Sequence, residues 1–219
     1  MEKQALILFA RLPLPGKVKT RLMTRLSGAD CADLQWALLA DLAPALHGAD
    51  GDLFVFYTPP RNPEAFRRLQ EQMDPAIYVQ QQGDDLGQRM HEAFTWAFKQ
   101  GYERCLLLGS DIPLISGADI SAAQELLNHY DVVLGPSEDG GYWLVGLKQA
   151  FPPLFQRQSY SHSQVLAQAQ AACAVHGASV GMAASRRDID TWEDLCYFRQ
   201  VATRESSPRL FTFIQDLFG

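Results

Sequence analysis

Cysteine, histidine and positive charge are all scarce in this chain, and each scarcity removes a class of function. The 219 residues include four cysteines, Cys31, Cys105, Cys173 and Cys196, and none are spaced Cys-x-x-Cys. A zinc knuckle or a thioredoxin-like redox pair is therefore excluded. Three of the four fall in helix or strand patterns, so free, buried thiols in a cytoplasmic protein are expected. The five histidines show no pairing at metal-ligand spacing, and only His162 falls in a loop near the motifs described below. Lys and Arg number 19 against 25 Asp and Glu, a formal net charge of -6. That balance argues against nucleic acid or a membrane surface as partner. No apolar run approaches the roughly 20 residues of a membrane span. The start, Met1-Glu2-Lys3-Gln4, runs straight into an apolar segment, so no signal peptide is expected.

The standard phosphate and nucleophile signatures are missing too. Gly16-Lys17 is followed by Val18, so there is no Walker loop, and no Gly-x-Gly-x-x-Gly follows the first strand pattern. No Gly-x-Ser-x-Gly elbow is present, and no cysteine has a cationic loop context, so a covalent enzyme intermediate is not expected.

What is present is a regular alternation. Apolar strand patterns at 5–10, 53–57, 77–81, 105–109 and 132–135 alternate with helical patterns at 29–46, 63–73, 85–99 and 120–130. A further strand follows at 142–147, then a helix at 163–176, a short strand at 179–182, a helix from Asp190-Thr191 through Phe198, and a last helix at 208–218. Such alternation predicts a three-layer α/β/α arrangement around a mostly parallel sheet. With 47% hydrophobic residues and no long linker, residues 1–219 are expected to form one domain.

Ligands of such sheets sit at the carboxyl ends of the strands, and five segments place chemistry there. After the first strand, Pro13, Pro15 and Gly16 hold open a loop that carries Arg11, Lys17, Lys19 and Arg21. Cations and backbone N–H groups concentrated there suit phosphates. Gly109-Ser110-Asp111-Ile112-Pro113 ends a buried strand in a carboxylate, which either caps a turn or ligates a hard divalent cation. Gly135-Pro136-Ser137-Glu138-Asp139-Gly140-Gly141-Tyr142-Trp143 joins two strands. It combines acids with glycines that allow close backbone approach, with one of the two aromatics free to stack on a ligand and the other in the core. Asp188-Ile189-Asp190-Thr191 precedes the late helix, where Asp190 reads as a helix cap, a metal ligand or both. Arg89, after Gly83-Asp84-Asp85, reads as an acceptor contact or as part of a helix start.

Taken in order, Phe-Ala-Arg-x-Pro-x-Pro-Gly-Lys-x-Lys-Thr-Arg-Leu (9–22), Asp-Leu-Gly-x-Arg-Met (85–90), Gly-Ser-Asp-x-Pro (109–113), Gly-Pro-x-x-Asp-Gly-Gly-Tyr-x-Leu-x-Gly-Leu (135–147) and Asp-x-Asp-Thr (188–191) resemble a bacterial family of transferases. That family lies in the nucleotide-diphospho-sugar transferase superfamily with the Rossmann-like GT-A fold. It is distantly similar to 2-phospholactate guanylyltransferase and molybdenum-cofactor guanylyltransferase. The sequence departs from it at Tyr160-Ser161-His162-Ser163, where such chains more often carry Trp-Ser-Thr.

The resemblance implies a metal-dependent transferase that takes a nucleotide, as NTP or nucleotide-sugar, and a small-molecule acceptor, with Mg²⁺ or Mn²⁺ as cofactor. It implies nucleotide contacts from Arg11, Gly16, Lys17, Lys19, Arg21, Gly109 and Ser110. Acceptor contacts would come from Arg89, Asp139, Gly140, Gly141 and Tyr142, and metal ligation from Asp111 and Asp190. Lys17, Arg21, Asp111 and Asp139 are the expected catalytic residues. Three cations beside strand one favour a triphosphate and hence nucleotidyl transfer. Glycosyl transfer and non-catalytic nucleotide binding are the alternatives. A monomer or homodimer is expected.

Overall fold

The computed structural model describes residues 3–58, 62–156, 160 and 163–219. Seven strands form one sheet: β1 (Gln4–Ala10), β2 (Asp52–Tyr57), β3 (Ile77–Gln80), β4 (Arg104–Gly109), β5 (Val132–Pro136), β6 (Tyr142–Leu147) and β7 (Val180–Met182). Their spatial order is β3-β2-β1-β4-β6-β5-β7. Among the described residues seven α-helices connect or flank them: α1 (Gly28–His47), α2 (Pro63–Met73), α3 (Leu86–Lys99), α4 (Gly117–His129), α5 (Val165–Val175), α6 (Trp192–Val201) and α7 (Pro208–Phe218). The chain is an α/β protein with a mostly parallel sheet. Only β6 pairs antiparallel among the described residues, with β4 on one side and β5 on the other.

Alternation within β1 explains the layers. Leu6, Leu8 and Ala10 point to one face, where they pack with Leu39 and Leu42 of α1, Leu69 of α2, and Ile120 and Leu127 of α4. Ala5, Ile7 and Phe9 point to the other, against Met90 and Phe94 of α3 and Ala169 and Cys173 of α5. A strand buried on both faces needs a continuous apolar run, which is what the first strand pattern shows. A third cluster joins the outer side of α1 (Cys31, Leu34, Leu38) to Leu22, Ile189, Leu195 of α6, and Leu210 and Ile214 of α7. All four cysteines are free, and Cys31, Cys105 and Cys173 are buried.

Two helix starts are set by capping boxes. Helix α4 starts at Gly117, three residues early, because Ser116 and Asp119 form a reciprocal capping box. Helix α6 is capped by Thr191, whose hydroxyl accepts from the Asp194 N–H while the Asp194 carboxylate returns to the Thr191 N–H. Asp190 is therefore not the cap, and its side chain is left for other work.

The antiparallel β6 is what brings the 137–141 loop to the site. Because β6 runs back from the carboxyl end of β5, that loop sits on the same sheet edge as the ends of β1 and β4. Of the aromatic pair, Trp143 is the core residue, buried with its indole N–H donating to the Ala184 carbonyl at 3.0 Å. A Cβ on Gly135 would meet that indole at 2.7 Å. Gly135→Ala should therefore lower the free energy of unfolding by about 1–3 kcal/mol through overpacking. Urea denaturation checks this: an unchanged midpoint would mean that the indole has room to move.

Candidate active site

A cleft of about 800 Å³ opens over the carboxyl edge of the sheet. Arg11, Lys19, Arg21, Arg89, Gly109, Ser110, Asp111, Asp139, Gly141, Tyr142 and Asp190 all line it. Most of the residues picked from sequence therefore share one cavity, although they range along the chain from Arg11 to Asp190.

The basic loop divides. Gly16 and Lys17 are not among the cleft residues. Gly16 has φ +73, and a Cβ on Gly28, at the start of α1, would meet the Gly16 nitrogen at 2.9 Å. The glycine pair thus folds the loop onto the helix. Lys17 is exposed, with its backbone carbonyl facing the Arg11 guanidinium at 3.5 Å. The expected phosphate role of Gly16 and Lys17 is not matched by their placement, because the turn that aims Lys19 inward leaves Lys17 pointing outward.

Lys19 is turned in by a left-handed backbone, φ 49 and ψ 39, which is costly for a residue with a Cβ. The Cys31 thiol donates to its carbonyl at 3.5 Å. The Lys19 side chain is only 2% exposed, and its ammonium lies 3.1 Å from Asp111 and 3.6 Å from Asp190. These are ion pairs rather than well-aligned hydrogen bonds, since no partner meets the angular criterion at this buried nitrogen. Arg21, in the 3-10 turn Thr20–Thr24, donates to the other Asp190 oxygen at 3.2 Å. Asp111 and Asp190, the two expected metal ligands, are thus joined by lysine.

Negative charge is crowded here. Asp188 also lines the cleft, and its carboxyl is pushed up to about 6 by burial first, then by the neighbouring charges of Asp190 and Asp139. Oxygen donors repelling one another are the donor chemistry of a hard divalent cation. Among the described residues, however, no three such side chains stand close enough to enclose an ion. Asp139 has a structural share as well. Its Oδ1 accepts from the Ser137 hydroxyl and from the Gly141 N–H at 2.9 Å, closing the turn before β6.

The far end of the cleft belongs to α3 and the start of β6. Arg89 Nε donates to the Gly83 carbonyl at 2.9 Å, which holds the arginine beside the α3 N-terminus. Tyr142 and Tyr160 both line the cleft. Burial holds the Tyr142 phenol well above its ordinary range and pushes Tyr160 up to about 12. The two hydroxyls sit near each other without the alignment of a hydrogen bond. The glycine of the 85–90 motif makes room for this: a Cβ on Gly87 would lie 2.9 Å from the Tyr160 ring and 2.7 Å from the Phe155 carbonyl. Gly140, expected to face a ligand, instead faces protein. With φ +90, its Cβ would be 2.2 Å from the Ser163 carbonyl, and its own carbonyl accepts from the Leu166 N–H at 2.9 Å. Ser161 and His162 lie outside the described residues.

Several cleft residues did not stand out in the sequence: Gln35, Thr58 and Gln81. Gln35 carried a usable signal, a polar residue on the apolar stripe of α1. Thr58 and Gln81 carried none, because their only distinction is position just past β2 and β3.

The 188–190 segment is held by the α6 cap. Burial raises the Asp194 carboxyl, but hydrogen bonds from Thr191, Arg187 and the Asp190 N–H outweigh it and leave it below its ordinary value. Arg187 reaches Asp194 at 2.8 Å and Glu138 at 3.7 Å, tying the cap to the 137–141 loop. The folded-state value is depressed, so this stabilisation is present above the unfolded value near 3.9 and is lost as pH falls through the lower folded value. Asp194→Asn should cost about 1–3 kcal/mol at neutral pH. The difference from the unsubstituted protein should shrink below about pH 4. Denaturant titrations at two pH values check this, and a pH-independent difference would remove the charge from the explanation.

Comparison with known proteins agrees with this architecture. The crystal structure of a Desulfovibrio desulfuricans G20 protein assigned as a nucleotide-diphospho-sugar transferase superposes with a TM-score of 0.87. It is 30% identical, over 99% of this chain and 98% of that one. The 3-phospho-D-glycerate guanylyltransferase of Phenylobacterium zucineum is 29% identical over 207 residues, 91% of this chain and 90% of that protein. The 2-phospho-L-lactate guanylyltransferase of Methanocaldococcus infernus is 27% identical over 133 residues, 61% of this chain and 56% of that enzyme, so the match spans little more than half its length. Residues 47–162, more than half of the chain, match the family described as an uncharacterized protein conserved in bacteria (DUF2064), and the chain belongs to that family.

Proposed function

We propose that this transferase moves a nucleotidyl group. An oxygen of a small phosphorylated acceptor attacks the α-phosphorus of a nucleoside triphosphate. The bond from that phosphorus to the oxygen bridging to the β-phosphorus breaks, and pyrophosphate leaves. The observation that carries this reading is the convergence of loop cations with the carboxylates of Asp111, Asp188 and Asp190 in one cleft at the strand ends. The names of the two guanylyltransferase relatives support a guanine nucleotide and a phosphorylated hydroxy acid as acceptor.

Lys19, Arg21 and Arg11 take the triphosphate, with Gly109 and Ser110 at its floor. Arg89 and Tyr142 face the acceptor, with Tyr160 beside them and Asp139 and Gly141 closing that end. Asp111 and Asp190, with Asp188 adjacent, would hold Mg²⁺ or Mn²⁺. Such an ion would supply charge neutralisation on the phosphates. The protein's own contribution is positioning: fixed cations on the phosphates, and two substrates aligned for in-line attack without a covalent enzyme intermediate. We read residues 1–219 as one domain that does this.

Glycosyl transfer is the second reading, favoured by the assignment of the Desulfovibrio protein. Product analysis separates the two. Purified protein is incubated with each of four NTPs or, in parallel, with nucleotide-sugars, together with 2-phospholactate or 3-phosphoglycerate and Mg²⁺ or Mn²⁺. Pyrophosphate is expected, strongest with GTP, and none when metal is removed by chelation. Release of a nucleoside diphosphate from a nucleotide-sugar, with no pyrophosphate from any NTP, would replace nucleotidyl by glycosyl transfer.

Loop placement makes a second expectation. Losing one charge-assisted contact of about 1.5–3 kcal/mol weakens binding roughly tenfold or more. Lys19→Ala and Arg21→Ala should each show that loss in calorimetric titration with nucleotide, whereas Lys17→Ala should change affinity less than about threefold. Equal losses at Lys17 and Lys19 would contradict the inward and outward assignment.

A further inference from the structure

The apolar stripe of α1 contains one residue that packing alone does not explain. Gln35 is 2% exposed, between Leu34 and Trp36. Its Nε2 donates to the Ser110 carbonyl at 3.0 Å and lies 3.3 Å from the Ser110 hydroxyl. Its Oε1 is buried with no partner. Burying an amide is unfavourable unless its hydrogen bonds are replaced, and here only the donor side is replaced. A leucine or methionine would suit such a position better if packing were the only requirement.

What the amide holds is the peptide that joins Ser110 to Asp111. The next carbonyl, that of Asp111, accepts from the Ile189 N–H at 3.4 Å. The Asp111 backbone is thus gripped from two sides, by α1 and by the segment that carries Asp188 and Asp190. Three residues on, Leu114 sits at φ 61, one of two non-glycine residues with positive φ among those described; the other is Lys19. A turn with a left-handed leucine does not hold its geometry without outside support.

We infer that Gln35 is a positioning residue: its amide fixes the Ser110–Asp111 peptide so that the Asp111 carboxylate faces Lys19 and Asp190 across the cleft. The role of Asp111 in turnover rests on the nucleotidyl-transfer reading above, whereas the grip itself does not.

The half-satisfied amide separates this role from a merely structural one. Gln35→Met keeps the volume; it takes the donor from the Ser110 carbonyl but also removes the unpaired buried acceptor of Gln35, and these two changes oppose one another, so stability should change little. The Asp111 carboxylate should wander, and misplacement of a reacting group costs on the order of 10- to 100-fold in rate. The expected result for Gln35→Met is a thermal midpoint within about 4 °C of the unsubstituted protein, a nucleotide KM within about threefold, and kcat down about tenfold or more. Mn²⁺ affinity in the presence of nucleotide, read by electron paramagnetic resonance, should weaken in step. Gln35→Asn keeps the amide but falls one methylene short of Ser110; it should show the same split, and it serves if the methionine variant does not fold. Values of kcat and Mn²⁺ affinity within twofold of the unsubstituted protein, or losses that track the unfolded fraction, overturn the inference. If the unsubstituted protein binds Mn²⁺ and nucleotide but releases no pyrophosphate, the proposed reaction fails, and Gln35 is then decided on Mn²⁺ affinity alone.

Discussion

A single buried ammonium organises the site. Lys19 is almost wholly enclosed, and its charge is met by Asp111 from the end of β4 and Asp190 from the approach to α6. An ammonium this deep is tolerated only when it is paired, and removing one partner leaves an uncompensated buried charge. The basic loop, the fourth strand and the late helix are therefore mutually dependent although they are remote in sequence. Arg21 extends the chain of charges outward by gripping the second oxygen of Asp190. The left-handed backbone at Lys19 is the local cost of aiming the side chain inward, and it sits where function is expected to concentrate strain.

On the proposed function, the same pairing bears on how the cleft would meet a nucleotide. The carboxylates of Asp111 and Asp190 are paired with the protein's own cations, while Asp188, buried and close to Asp190 and Asp139, has a raised carboxyl. A phosphate chain would compete for Lys19 and Arg21, and releasing them would expose the negative charge of the carboxylates. Anion and cation would then favour each other's binding, since each would relieve the imbalance the other creates.

Strand direction decides which loops face one another. In an all-parallel sheet, a strand following β5 would begin at the opposite edge. Because β6 runs antiparallel between β4 and β5, the glycine-rich loop before it opens on the ligand side. Backbone ladders then lock that loop to the 183–188 segment: Glu138 N–H donates to the Arg186 carbonyl at 3.0 Å, and Arg186 N–H to the Pro136 carbonyl at 2.9 Å. Arg187 adds side-chain ties to Glu138 and Asp194. The acidic wall of the cleft is thereby one braced unit rather than two independent loops.

The amino-acid sequence alone determined the alternation of strands and helices, several element limits to the residue, and the set of strand-end segments that carry charge. These are local properties: apolar runs, helical spacing, and the proline and glycine that end a strand. The resemblance of the ordered motifs implied that Asp111 and Asp190 work together, and the structure brings both to Lys19. Tertiary structure decided the rest. Lys17 and Lys19 are chemically alike and two positions apart, and only a left-handed backbone separates the buried one from the exposed one. Gly140 and Gly141 read as one motif, yet a Cβ on the first would run into the Ser163 backbone and one on the second would meet Ser137 and Asp139, and Gly141 lines the cleft. Thr191, not Asp190, caps α6, since the cap is chosen by which side chain reaches the Asp194 N–H. Gln35 reads as an interruption of an apolar helix face. Its meaning depends on Ser110, 75 residues away, and no local pattern encodes a contact made only when helix and strand are packed together.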